Sequence, residues 1–136
     1  MTASLAFKTA KLLREARDYI TDRTHWVKGA LTADAHPNPG VYEPWNGYLS
    51  EAPRVCSLGA LGRAANLRDW DHRLPDEVQT AIDTLKEAMG TEVANFNDAD
   101  ETAHEDVLAA FDLAIEEACK VVREEVESDG KKDHAS

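Results

Sequence analysis

The chain has 136 residues, 43% apolar and 30% charged, with a formal net charge of −11. That length suffices for one hydrophobic core, and the composition is that of a folded globular protein rather than a disordered one. No apolar run nears the 18 residues that span a bilayer, and lysines interrupt the N-terminus "MTASLAFKTAKLLRE" where a signal peptide has its apolar core, so a cytoplasmic protein without a membrane partner is expected.

From Leu5 to Ile20 the apolar residues Leu5, Ala10, Leu12, Leu13, Ala16, Tyr19 and Ile20 fall at helical spacing, with charged residues between them. This predicts a first amphipathic helix over about 5–21, capped by Thr2 or Ser4. The helix belongs to a basic segment: residues 1–30 carry six bases and three acids, net +3. The stretch "THWVKGALTADAHPNPGVYEPWNGYLSEAPR" then brings prolines, glycines and large aromatics together, which predicts a long loop. Trp26, Tyr42, Trp45 and Tyr48 are its candidate protein contacts, since Trp and Tyr are frequent interface anchors; the alternative is that they fold back as a lid over the next helix.

That next helix is expected from Pro53 or Arg54 to about Asn66, in "RVCSLGALGRAANL". Two interior glycines there each cost about 1 kcal/mol relative to alanine. Cys56, Gly59, Ala60 and Gly62 are small and follow helical spacing, so the glycines are explained if a neighbouring helix or the aromatic loop comes close. A third helix is read from Pro75 to Met89, with Val78, Ala81, Ile82, Leu85 and Met89 on one face and Gly90 as its stop.

In "NFNDADETAHEDV", Thr102 and Glu105 form a capping-box pattern, so the last helix is predicted over about 102–127. Its stripe runs Val107, Phe111, Ala114, Ala118, Val121, with Leu108, Ile115 and Val122 alongside, and its length would be roughly 39 Å. The stripe outruns the shorter helices, so the basic first helix and the acidic last one either pack antiparallel within one chain or pair between chains; a homodimer is favoured, with Cys119 and Val122 at its contact. The acidity sits in this half: residues 76–136 carry five bases and eighteen acids, net −13. The polarity argues against direct nucleic-acid binding, which needs a basic face. The expected architecture is therefore all-α: a single domain over 1–128 with four main helices, a long aromatic and proline-rich loop, and an unstructured tail at 129–136.

"CSLGALGRAA" followed by "ANFNDADETAHEDVLAAFDLAIEEA", with the earlier turn "WVKG", resembles an uncharacterised domain family of actinobacteria and their phages. The resemblance runs from Leu5 to about Ala118 and rests on Cys56, Gly59, Ala60, Leu61, Asn97, Asp98, Thr102, Glu105, Val107 and Leu108. The chain departs from that pattern at Val55 and Phe96, where the family tends to have tryptophan, and at Asp100, where it has proline. The resemblance implies a setting, actinobacterial or phage, and no activity.

Two chemical readings accompany it. Cys56 with His104 and Asn97 or Asp98 supplies the residue types of a thiol nucleophile, its base and an orienting group. Asn95, Asn97, Asp98, Asp100, Glu101 and Glu105 supply hard oxygen ligands for calcium or magnesium, but without the glycine or the register of an EF-hand. Against the first stands the apolar setting of Cys56, expected to be buried and unreactive; against the second, Asn97 and Asp98 are expected to bond backbone amides at the turn into the last helix. The histidines are scattered without zinc spacing. Neither cofactor nor metal is therefore expected, and the favoured function is that of a non-enzymatic accessory protein that binds another protein. The alternatives are a thiol-dependent enzyme using Cys56 and His104, and an acidic DNA mimic.

Overall fold

The computed structural model describes residues 1–71 and 73–134, with side chains described up to Val126 apart from His72. Five helices make up most of the chain: α1 (Ala3–Thr21), α2 (Ser57–Ala64), α3 (Asp76–Met89), α4 (Val93–Asp98) and α5 (His104–His134). Thr2 caps α1, its hydroxyl accepting from the Leu5 amide at 3.1 Å. Gly90 ends α3 in the left-handed region at φ 74°, where an L side chain would be strained.

The helices α1 and α5 form the largest contact in the fold. They run antiparallel: Arg17 of α1 reaches Asp112 with two parallel hydrogen bonds, and Arg14, one turn earlier, reaches the Cys119 sulfur further along α5. Between them lie small and branched residues at helical spacing, Ala10, Leu13, Ala16 and Ile20 on α1 with Val107, Phe111, Ala114 and Ala118 on α5, and α3 closes the core with Val78, Ala81 and Leu85. Full burial of the leucine, isoleucine, valine and phenylalanine side chains among them contributes about 1.5–3 kcal/mol each. That exceeds the few tenths of a kcal/mol of surface helix pairs, so the shared core orients the helices.

Several expected boundaries move. The second helix starts at Ser57, not at Pro53 or Arg54, because Arg54–Val55 is an extended strand (β2) paired antiparallel with Thr32–Ala33 (β1). Residues 93–98, outside the four predicted helices, form α4; the segment is only six residues long and owes its helix to the burial of Val93 and Asn97. The capping box is not formed. Thr102 lies before the helix, and the cap residue is Ala103, whose amide donates to Asp106 Oδ2 at 2.8 Å while Glu105 is exposed in the first turn. An acid at the third helical position can accept that amide whatever the cap side chain is.

The α5 backbone stays helical through His134, past position 128, where the composition suggests the domain should end. The cover of α5 also differs from expectation. The 19-residue α1 runs antiparallel beside it, so Val122 is half-buried and the exposed valine is Val126, at 60%.

Candidate binding surface

The loop from Val27 to Pro53 has little regular structure, yet it is tied down along its length. The Val27 amide donates to the Val55 carbonyl at 3.0 Å, and the Cys56 amide to the Leu31 carbonyl at 3.1 Å. The Tyr19 hydroxyl donates to the Pro53 carbonyl at 2.7 Å, with the Arg63 guanidinium over its ring at 3.7 Å. Arg54, only 2% exposed, points back into the loop and donates to the carbonyls of Asp34 at 2.6 Å, Val41 at 2.9 Å and Pro39 at 3.4 Å. A buried guanidinium needs hydrogen-bond partners, and here a loop carbonyl accepts from each of its three nitrogens.

A second anchor lies at the base of the loop. Asn97, fully buried on α4, accepts three hydrogen bonds on one oxygen: from the Trp26 indole at 2.8 Å, the Ser57 amide at 3.0 Å and the Ser57 hydroxyl at 2.7 Å. Its amide nitrogen donates to the Val27 carbonyl at 3.1 Å and to Asp98 Oδ1 at 2.9 Å. The same Asp98 oxygen receives the amide of Gly29 at 2.8 Å, in the left-handed region at φ 79°. Lys28, between them, donates to the Ala99 and Thr102 carbonyls. The turn Trp26–Gly29, the start of α2 and the end of α4 are thus bound to one another through Asn97 and Asp98. Both side chains do bond backbone amides, but those of distant segments rather than of the turn into α5.

The small residues of α2 have their close neighbours. A Cβ on Gly59 would overlap the Leu31 carbonyl oxygen and lie 3.0 Å from the Val55 side chain, and one on Gly62 would meet Leu49 at 2.5 Å. Ala60 is buried on the same helix. The backbone that approaches belongs to the loop, not to a helix.

The geometry leaves the thiol chemistry unassembled. Cys56 is buried and caps α2, its sulfur accepting from the Gly59 amide at 3.4 Å. Burial pushes its pKa above the ordinary thiol value, outweighing the lowering by the helix amides. His104 is turned to the Ile20 carbonyl and stacks obliquely on Trp26, 5.4 Å between ring centroids. The oxygen-rich stretch considered for calcium or magnesium is divided between α4, which carries Asn95, Asn97 and Asp98, the turn with Asp100 and Glu101, and α5 with Glu105; Asn97 is directed inward, its oxygen already taken by three donors.

Within the loop the tryptophans and tyrosines part company. Trp26 and Trp45 are half-buried against the core, Trp45 donating to the Tyr48 carbonyl at 3.0 Å. Tyr42 and Tyr48 stand out, 57% and 53% exposed, with Val41 beside the first. The side chains not legible in the sequence as anchors of the loop are Lys28, Arg54 and Ser57; the "WVKG" turn is the one local signal that points to Lys28.

Residues 6–117 match a family of unknown function (DUF6197), and the chain belongs to that family. No curated protein and no solved structure matches the chain.

Proposed function

We propose that this chain is a small, non-catalytic accessory protein of the cytoplasm that acts by binding another protein through the exposed side of its loop. One observation carries the reading: Tyr42 and Tyr48 are each more than half exposed on a segment whose backbone is fixed from within by Arg54 and Trp45. Large exposed aromatics on an ordered backbone lose little conformational entropy on binding, which makes them efficient anchors. In the actinobacterial or phage setting that the motifs suggest, the partner is a host protein.

Affinity capture from such a host tests this. A partner retained by the wild type and by Leu113→Ser, but lost with Tyr42→Ser and Tyr48→Ser combined, would support the reading. Equal retention by all three would end it.

Self-association is a second reading, favoured by the 62% exposed Phe7 and the 60% exposed Val126. Arg14 and Cys119 face each other, and one heptad outward on each antiparallel helix lie Phe7 and Val126, at the same end of the α1/α5 pair. Sedimentation equilibrium should show a dimer that Val126→Glu dissociates; a monomeric wild type at high concentration would remove it.

A further inference from the structure

In a chain of net charge −11, one concavity is lined by cations with no acid among its walls. Arg23, in the single helical turn Arg23–His25 after α1, Lys28 in the Trp26–Gly29 turn and Arg54 of β2 border a cleft of about 540 Å³, walled also by Trp26, Gly40 and Tyr42. None of the three cations has a carboxylate partner among the described residues. Arg54 directs its charge at three carbonyl oxygens and Lys28 at two, while the Arg23 side chain is exposed and makes no hydrogen bond or ion pair among the described residues.

Each cation keeps donors to spare. A guanidinium has more N–H groups than Arg54 uses, an ammonium one more than Lys28 uses, and the whole fork of Arg23 is open. Carbonyl dipoles offset only part of the cost of a buried cation, and an anion would offset the remainder. Three such residues, brought to the border of one cleft by three separate segments, suit a multiply charged anion, since charge-assisted and forked hydrogen bonds are the strong ones. The cleft has the size of a small-molecule site, and Tyr42 offers an exposed ring beside it.

We propose that this cleft binds a small organic polyanion, a phosphate ester or polycarboxylate, whose charge meets Arg23, Lys28 and Arg54 and whose flat body lies against Tyr42. The site does not depend on a protein partner, and its test uses variants of Arg23 and Lys28, so loss of partner capture on changing the tyrosines leaves it standing.

The test is titration of the full-length protein by NMR with adenosine monophosphate, adenosine and citrate. Adenosine monophosphate should shift the amides of 23–28, 40–42 and 54, and adenosine, which lacks the charge, should not. Arg23→Glu should weaken binding about tenfold or more without changing the melting temperature, because that side chain has no partner to lose. Lys28→Met should weaken it in the same sense. Citrate that competes assigns the site to polyanions in general, and citrate that fails while adenosine monophosphate binds narrows it to phosphate esters. Absence of shifts with both anions at millimolar concentration, or binding unaltered by Arg23→Glu, would overturn the proposal.

Discussion

The indole of Trp26 donates to Asn97, 71 positions further along the chain, at 2.8 Å, and the same oxygen takes both the amide and the hydroxyl of Ser57. A single buried carboxamide therefore holds the entrance of the loop, the first turn of α2 and the end of α4 together. Asn97→Ala leaves the indole, the Ser57 groups and the Val27 carbonyl without their partner. At about 1–3 kcal/mol for each buried group so orphaned, with partial relaxation, the loss should be roughly 3 kcal/mol or more in urea denaturation. Asp98→Ala, at an exposed position with two acceptor contacts, should cost only about 1 kcal/mol.

The glycines of α2 should rank by what faces them. Gly59→Ala drives a methyl into the Leu31 backbone carbonyl, which is held by the Cys56 amide and cannot move away alone. Overpacking of this kind costs about 1–3 kcal/mol or more. Gly62→Ala meets the flexible end of Leu49, so its cost should be smaller. Gly90→Ala has open space and suffers only left-handed strain, about 1 kcal/mol. Thermal melts in the order Gly59 below Gly62 and Gly90 are expected; Gly59→Ala melting with the wild type would refute the close approach.

The thiols should differ in reactivity. Cys119 is half-exposed beside Arg14, whereas Cys56 is 6% exposed with a raised pKa. A thiol reagent at neutral pH should label Cys119 alone until the protein is denatured. The pH dependence follows in sign: the unfolded thiol loses its proton at a lower pH than the folded one, so the unfolded state gains as pH rises. Stability should fall once pH passes about 9, the ordinary thiol value, and Cys56→Ala should flatten that decline. Fast labelling of Cys56 in the folded protein would revive thiol chemistry.

Arg54 should govern the order of the loop more than that of the helices. Arg54→Met keeps much of the side-chain volume and removes the donors to the Asp34, Pro39 and Val41 carbonyls. Hydrogen exchange of the Asp34 amide, which bonds the Glu43 carbonyl, and of Val41 should accelerate, and global stability should drop by about 2–3 kcal/mol. Unchanged exchange at these amides would show that the loop is ordered by other contacts.

Most of the helical layout was legible in the sequence, because amphipathic periodicity over long segments is local information. The stripe Leu12, Leu13, Ala16, Ile20, the threonine cap of α1 and the glycine stop of α3 need nothing beyond their own neighbours in the chain. The small face of α2 was legible as a demand for close approach, though not what would approach. The segment Arg54–Val55 could not be read locally, since it is extended only because Thr32–Ala33 lies beside it. The six residues of α4 are too few to nucleate a helix alone, and become one by burying Val93 and Asn97 under the rest of the fold.

The fate of the loop was decided by tertiary structure alone. Nothing local distinguishes Trp26, whose indole finds Asn97 on another element, from Tyr42, which finds solvent. Likewise Arg23, Lys28 and Arg54 are unremarkable as isolated bases in an acidic chain, and become a cationic cleft only when three segments meet. Local patterning determined which residues would be helical. Long-range hydrogen bonds between segments far apart in the chain determined which of the remaining side chains face outward and are free to bind.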